Sequence, residues 1–252
     1  MDRVIYTAGG GAARTLEHQA VVSNNLANVS TQGFQAQLAQ FRAVPIQGPG
    51  LPTRVGAVAT TPGIDASQGP LQVTGRALDV AVSRGGWLAV QTPQGEAYTR
   101  QGGLLVDVDG LLKIPSGHPV LADNGQPIEV PANARLTIGA DGTISVLGAG
   151  DPPQGMGELG RLKLVAPDPR QLARGADGLM RMAGAAGRPA PVLPPDPTLQ
   201  VVSGTLEGSN VNAMQAMVEL INNGRRFEMQ MQAVQSADRN AERANQLLSA
   251  QG

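Results

Sequence analysis

The chain has 252 residues, with 19 basic and 20 acidic residues and no cysteine, so its charge is nearly balanced and disulfides are excluded. A balanced charge gives no electrostatic case for binding nucleic acid or an anionic membrane. Only 2% of the residues are aromatic, less than a compact enzyme of this size usually buries. The 33 glycines and 19 prolines indicate many turns and extended connections.

The N-terminal segment predicts a helix over residues 2–28, with a thin apolar face that includes Ile5, Ala12 and Val22. Gly9-Gly10-Gly11 lies inside this helix, and three glycines cost about 2–3 kcal/mol of helix stability. We therefore expect the helix to be marginal alone and to become ordered against another element. The segment has no long apolar run, so we expect no cleaved secretory signal.

The stretch from Ser23 to Phe34, SNNLANVSTQGF, predicts a helix end that leads into an extended segment. Asparagine amides compete with helical backbone bonds, and Gly33 can adopt a positive φ where a helix ends. Residues 31–72 have no helical or long alternating period and predict an extended connector with isolated strands. A disordered linker in the free monomer is the alternative.

From about residue 73 the apolar period changes to two, for example at Leu78, Val80 and Val82. Turn dipeptides such as Asp109-Gly110 separate the alternating runs. Short strands joined by such turns predict a mainly antiparallel β-domain over residues 73–200.

The last fifth of the chain has no proline and predicts one long amphipathic helix from Val211 to Ser249, roughly 58 Å in length. Ser209 or Asn210 is expected to cap its start. Its apolar stripe rotates along the helix, which indicates contacts with several neighbours. The alternative is a core helix of a monomeric bundle.

Patterns that could carry chemistry are better explained as structure. Gly155, Gly157 and Gly160 satisfy GxGxxG, but a strand-like run follows where a nucleotide site needs a helix. Asp107-Val108-Asp109-Gly110 lacks the later glutamate of a calcium loop, and Ser116 has no positioned base. Tyr98-Thr99-Arg100 predicts either a binding patch or a strand with an exposed basic end. We expect no enzyme activity, cofactor, metal or small-molecule substrate.

Three groups of residues together resemble the bacterial flagellar rod and hook proteins. The N-terminal signature is Asn24-Asn25-Leu26-Ala27-Asn28 with Thr31, Gly33 and Phe34. The C-terminal one is Leu206-Glu207-Gly208-Ser209-Asn210-Val211 with Met217-Val218-Glu219-Leu220-Ile221, and Tyr98-Thr99-Arg100-Gln101-Gly102 with Asp109-Gly110-Leu111 matches the middle domain. Arg225-Arg226-Phe227-Glu228-Met229-Gln230 is closer to the proximal than to the distal rod proteins of this family.

The resemblance implies an α+β fold, in which long terminal helices form a coiled-coil-like pair and an antiparallel β-domain is inserted between them. The predicted parts are an N-terminal helix (1–30), a connector (31–72), a β-rich middle domain (73–200) and a C-terminal helix (201–252).

The implied function is that of a structural rod subunit of the flagellar basal body that transmits torque for motility. The implied partners are copies of itself, the rod proteins FlgB, FlgC and FlgG, and the flagellar export apparatus, with no nucleic acid. The implied location is the rod where it crosses the periplasm. A distal-rod (FlgG-like) or hook subunit is the alternative within the family, and a surface adhesion or binding module is the alternative outside it.

The apolar stripes and the terminal signatures together make up the predicted subunit interface. Its residues are Leu16, Val22, Asn24, Asn25, Leu26, Asn28, Gly33, Phe34, Leu206, Glu207, Ser209, Asn210, Val211, Met214, Met217, Val218, Leu220, Ile221, Phe227, Met231, Val234 and Leu248.

Overall fold

The structure is a computed structural model that describes residues 2–45, 55–59, 63–132, 134–148, 157–184 and 191–249. The chain divides into two compact units. A terminal unit comprises Met1–Ala27, Gln37–Pro62 and Asn212–Gly252, and a β-rich unit comprises Asn28–Ala36 and Gly63–Val211. Long helices at both ends with antiparallel strands between them confirm the α+β class.

The terminal unit contains both long helices. Its elements are α1 (Asp2–Ala27), β1 (Gln37–Leu38), β2 (Phe41–Pro45), β3 (Val55–Ala59) and α2 (Ala213–Ser249). Strands β2 and β3 pair antiparallel, with Phe41 opposite Ala59. Neither helix, over the residues described, has the length and hydropathy that crossing a bilayer requires.

Helices α1 and α2 pack against each other in antiparallel orientation. Their buried and half-buried positions recur at alternating steps of three and four residues, the spacing that keeps one face of each helix toward its partner. We call these positions the helix seam: Ile5, Ala8, Ala12, Thr15, Gln19, Val22 and Leu26 in α1, and Ala216, Leu220, Asn223, Phe227, Gln230, Val234, Ala237 and Ala241 in α2.

The three glycines do not interrupt α1, which is continuous through Gly9–Gly11. Packing against α2 offsets their low helix propensity, as expected for a helix that needs a partner. A Cβ atom at Gly11 would lie only 2.9 Å from Nε2 of Gln230, so a glycine allows this side chain of α2 to approach the α1 backbone.

Helix α2 begins two residues later than predicted, and its cap differs. The Asn212 side chain accepts a hydrogen bond from the backbone N–H of Gln215 at 3.1 Å, which makes Asn212 the N-cap. The prediction of Ser209 or Asn210 as the cap is wrong, because Asn210 bonds within the β-rich unit. Residues 201–203 and 205–207, which the prediction assigns to the C-terminal part, form strands of that unit.

The β-rich unit is built from short strands. They are β4 (Gly63–Ile64), β5 (Leu71–Val73), β6 (Val80–Val82), β7 (Trp87–Thr92), β8 (Gly95–Thr99), β9 (Leu105–Val106), β10 (Leu112–Lys113), β11 (Arg135–Ile138), β12 (Thr143–Leu147), β13 (Gly157–Arg161), β14 (Leu164–Val165), β15 (Leu172–Arg174), β16 (Met180–Met182), β17 (Val201–Ser203) and β18 (Thr205–Glu207), with a 3-10 turn at Pro169–Gln171. The largest sheet has the order β14-β7-β8-β16-β15, and β11-β12-β13 form another.

Strand β7 is central because both of its faces are buried. Leu88 and Val90 point into one apolar cluster, and Trp87 and Ala89 point into a second one. This is the two-residue alternation of a strand between two layers. In the second cluster the Tyr98 hydroxyl accepts a hydrogen bond from the backbone N–H of Leu193 at 3.1 Å.

The turn patterns are confirmed as turns. Gly110, three residues after Asp107, has a positive φ of 78°. Asp107 forms an ion pair with Lys113 across the β9–β10 hairpin. Gly157 and Gly160 lie in strand β13, while Gly155 falls outside the described residues.

Candidate functional site

Three segments that lie far apart in the sequence meet in a buried polar cluster of the β-rich unit. Nη1 of Arg100 donates hydrogen bonds to Oε1 of Glu207 and to Oε1 of Gln35, both at 3.2 Å. Nε2 of Gln35 also donates to Oε1 of Glu207, at 3.1 Å. Together with Asn210 these residues form what we call the signature cluster. It joins residues at or beside the N-terminal, middle and C-terminal signatures.

Arg100 is held on several sides. Its Nη2 donates to the backbone carbonyls of Ala66 at 3.0 Å and Gly85 at 3.1 Å. Its guanidinium carbon lies 4.7 Å from the centre of the Trp87 ring, within range of a cation–π interaction. The whole residue is 2% exposed, so the prediction of a binding patch or an exposed basic strand end is wrong. Charged hydrogen bonds and an opposite charge compensate its burial.

Asn210 connects the C-terminal signature to the N-terminal one. Its Oδ1 accepts from the backbone N–H of Ala36 at 2.7 Å, and its Nδ2 donates to the carbonyl of Asp65 at 2.8 Å. Its own backbone N–H donates to the carbonyl of Phe34 at 3.2 Å. An asparagine suits this position because one short side chain supplies both a donor and an acceptor.

Gly33 is required by the geometry of the cluster. Its φ is 65°, and a Cβ atom would lie 2.4 Å from the backbone carbonyl carbon of Arg100. Its N–H donates to the carbonyl of Glu207 at 2.8 Å. Glycine meets both requirements, since it adopts a positive φ without strain and allows the close backbone approach.

A second arginine, Arg174, lies over the ring of Phe34, the residue that follows Gly33 in the N-terminal signature. The guanidinium carbon of Arg174 is 4.3 Å from the centre of the Phe34 ring, and its Nη2 donates to the carbonyl of Gln35 at 2.6 Å. Burial lowers the pKa of Arg174 to about 10. Phe34 therefore anchors the N-terminal signature beneath a partly desolvated cation.

The signature cluster is a structural joint. Arg100 and Glu207 are each 1% exposed at their side chains, so no substrate reaches them. Their hydrogen bonds go to other groups of the protein, and neither side chain is placed as an open acid or base. The cluster fixes three chain segments to one another, and this structural role is the one that its geometry supports.

The terminal unit has a polar part within the helix seam. Asn223, which is buried, pairs with Nδ1 of His18: its Nδ2 donates at 2.9 Å when Nδ1 is unprotonated, and its Oδ1 accepts at 3.2 Å when Nδ1 carries the proton. Oγ1 of Thr15 donates to Oε1 of Gln230 at 3.2 Å. Polar pairs within an apolar seam favour one register, because a shift would leave buried polar groups without partners.

The signature asparagine Asn25 closes the end of α1. Its Nδ2 donates to the backbone carbonyl of Gln37 at 2.9 Å, and its Oδ1 accepts from the N–H of the same residue at 2.8 Å. The side chain thus pairs with Gln37 as a neighbouring strand backbone would. It holds the returning chain against the helix.

The predicted interface residues are distributed over both units. In the terminal unit Leu16, Asn24, Met214, Met217, Val218, Ile221 and Met231 are exposed, Asn25, Leu26, Leu220, Phe227 and Val234 are half-buried, and Val22 is buried. In the β-rich unit Phe34, Leu206, Glu207 and Ser209 are buried and Asn28, Gly33, Asn210 and Val211 are half-buried. The side chain of Leu248 is outside the described residues.

Sequence reasoning missed Gln35 and Asn223. Gln35 follows Phe34 directly, and it sits beside a signature without belonging to it. Asn223 could have been found from the sequence, because it lies three residues after Leu220 and four before Phe227, at the spacing of the helix seam. A polar residue at an apolar position indicates a buried hydrogen bond.

Comparison with known protein families gives three matches along the chain. Residues 5–35 match the model "Flagella basal body rod protein" and residues 81–146 match "Flagellar hook protein FlgE/F/G D1 domain". Residues 202–247 match "Flagellar basal body rod FlgEFG protein C-terminal". These ranges contain all four members of the signature cluster, Gln35, Arg100, Glu207 and Asn210.

Full-length relatives agree with these matches. The flagellar basal-body rod protein FlgF of Escherichia coli (strain K12) is 54% identical, with 99% of each chain covered, and FlgF of Salmonella typhimurium is 51% identical over the same shares. FlgG of Buchnera aphidicola subsp. Schizaphis graminum is 32% identical, covering 90% of this chain and 92% of its own. The chain therefore belongs to the FlgF family of flagellar basal-body rod proteins and is a structural subunit of the proximal rod, not an enzyme.

Proposed function

We propose that this subunit joins the rod through an exposed apolar face of α2. The α2 stripe, as we call it, consists of Met214, Met217, Val218 and Ile221. Met214 is 72% exposed and Ile221 is 58% exposed. A row of large apolar side chains in water is typical of a surface that another protein covers. This stripe is the observation that carries the proposal.

The stripe and the helix seam belong to different faces of α2. At about 100° per residue, the α2 stripe lies roughly opposite the seam positions Ala216, Leu220 and Asn223. We infer that α1 and α2 form a coiled-coil-like pair through the seam, whose three-and-four spacing supports this. The opposite face then remains available for a neighbouring subunit.

Neighbours of the α2 stripe are other rod subunits. We propose that they are copies of this chain and the rod proteins FlgB, FlgC and FlgG. The rod they form crosses the periplasm, and the subunit reaches it through the flagellar export apparatus. Family membership and the exposed stripe support this arrangement, and torque then passes along the stacked helices.

The experiment places charges on the stripe. Met217→Asp together with Ile221→Asp in the full chain should abolish swimming and complete basal bodies, since each carboxylate would be buried in an apolar contact. Both side chains are exposed, so the purified variant should keep the circular dichroism spectrum of the wild type. Asn222→Asp, at an exposed residue beside the stripe, adds one of these two negative charges, and cells that carry it should swim normally.

Normal swimming of the double variant would refute the proposed interface. Leu220 and Phe227 are unsuitable for this test even though we predicted them as interface residues. Both are half-buried in the helix seam, so a charge there would also separate α1 from α2.

A further inference from the structure

A groove of about 360 Å³ opens on the terminal unit between the two helices and the chain that follows α1. Arg14 and His18 of α1 line it from one side, and Asn223 and Arg226 of α2 line it from the other. Phe41, at the start of β2, supplies an aromatic wall. The α2 stripe does not include any of these residues.

The ionisable groups that line this groove are basic. Arg14, His18 and Arg226 come from two different helices, and no carboxylate is among the lining residues described. Arg226 is exposed and forms no ion pair within the part of the chain that the structure describes. The exposed guanidinium of Arg226 and the ring of Phe41 provide a charged donor and an apolar wall that suit a carboxylate with a short apolar stem.

The same chain carries a complementary surface further along α2. Asp238 and Glu242 are exposed and four residues apart, so they lie on one face of the helix. Like charges at this spacing destabilise a helix by a few tenths of a kcal/mol. Neither carboxylate forms an ion pair with any described residue, although Arg239 lies three residues before Glu242.

We propose that the basic groove of one subunit receives the Asp238–Glu242 face of a second copy of this chain. The contact would give Arg226 and the two carboxylates the ion-pair partners that they do not have among the described residues. It rests on the proposed assembly through α2 and adds to it a polar contact that sets the stagger between neighbouring copies. An apolar stripe alone specifies such a stagger weakly, whereas paired charges suppress wrong alignments.

This pairing can form only between copies. Arg226 and Asp238 are twelve positions apart on one continuous helix, which is about 18 Å along its axis. That distance exceeds the combined reach of the two side chains. A rescue obtained by exchanging their charges therefore reports a contact between subunits.

A charge exchange in the full chain tests the proposal. Arg226→Glu should lower the number of complete basal bodies per cell about tenfold, which corresponds to the loss of one good charged contact. Arg226→Gln should lower it less, because it removes the charge without reversing it. Arg225→Glu, at a neighbouring exposed arginine that does not line the groove, should stay within about twofold of wild type.

Asp238→Lys with Glu242→Lys should reproduce the defect, and combining both lysines with Arg226→Glu should restore basal bodies to within about threefold of wild type. Purified variants with unchanged circular dichroism exclude misfolding as the cause. A combined variant as defective as Arg226→Glu would overturn the second copy as occupant, and equal defects at Arg225 and Arg226 would overturn the groove itself. In either case, a defect of the Met217→Asp and Ile221→Asp double variant would still support the α2 stripe as an interface. The two proposals can therefore be refuted independently.

Discussion

The guanidinium of Arg100 and the carboxylate of Glu207 meet at 3.2 Å across a separation of 107 positions in the sequence. Both side chains are 1% exposed, and Gln35, which directly follows the N-terminal signature, bonds to each of them. The β-rich unit is therefore complete only when its first and last segments are both in place. An insertion between two helical ends gains stability from such a joint, since it fixes both ends of the inserted unit.

Removing the negative charge from this pair should destabilise the β-rich unit. Glu207→Gln leaves Arg100 buried without a counter-charge, and we expect the free energy of unfolding to fall by about 3 kcal/mol. Trp87, the single tryptophan, lies against Arg100 and reports the transition by fluorescence during urea denaturation. Glu129→Gln, at an exposed glutamate of the same unit, should change stability by less than about 0.5 kcal/mol. Equal urea midpoints for the two variants would show that the pair contributes nothing.

Two effects make Gly33 necessary, its close approach to the Arg100 backbone and its positive φ, and their contributions to stability can be measured separately. Gly33→Ala forces a Cβ atom to within 2.4 Å of the Arg100 backbone at a φ of 65°. Gly117 has a φ of 88° but nothing within 4 Å of its Cβ position. Gly117→Ala should therefore cost about 1 kcal/mol of stability, and Gly33→Ala should cost clearly more. Urea midpoints measured side by side check this, and similar losses at both positions would contradict the packing we describe.

An acid-sensitive contribution to stability is expected at Asp177. Its hydrogen bonds with the Arg181 side chain lower the pKa of Asp177 from 3.8 to about 2. Because the folded pKa is depressed, the unfolded chain binds the proton more readily, and the stabilisation is present above about pH 4 and is lost as pH falls toward about 2. Asp177→Asn should lower stability by about 1 kcal/mol or less at pH 6, since the pair is partly exposed.

Urea denaturation of wild type and Asp177→Asn across this pH range measures the effect. The difference between them should narrow steadily below about pH 4, because the wild type loses the same interaction. If the difference in stability between the two proteins stays constant down to pH 2, the carboxylate of Asp177 is not the source of the acid-sensitive stabilisation.

Helix α1 should gain stability at its most open glycine. A Cβ atom at Gly9 meets nothing within 4 Å, so Gly9→Ala should raise the stability of the terminal unit by up to about 1 kcal/mol. At Gly11 the added atom meets Gln230 at 2.9 Å, so Gly11→Ala should gain less. Thermal melting followed at 222 nm compares the two. A larger gain at Gly11 would argue against the seam geometry.

The helices and the strand-rich middle could be predicted because their periods are written in the local sequence. The predicted interface combined Met214 and Ile221, which are exposed, with Leu220 and Phe227, which belong to the helix seam. Hydrophobicity alone does not tell which apolar face a helix buries in its own chain and which face a neighbour covers. A long helix of this kind needs both a face buried in its own chain and a face that a neighbouring subunit covers.

The signature cluster could not be predicted from local pattern. Arg100 follows a strand and has the appearance of an exposed basic end, since arginine is seldom fully buried. Its burial depends on Glu207 and Gln35, which no short-range period connects to it. Long-range polar pairs become visible only once the fold brings the segments together.

Methionine oxidation offers the most direct test of the central claim, that the α2 stripe is a subunit contact. Met214 and Met217 are exposed and Met182 is buried in the β-rich unit, so mild peroxide should convert the first two to sulfoxides in the free subunit and spare the third. In purified basal bodies, mass spectrometry should find Met214 and Met217 protected at least about tenfold, since a covering neighbour excludes the oxidant. Oxidation of both at the rate of the free subunit would contradict the account.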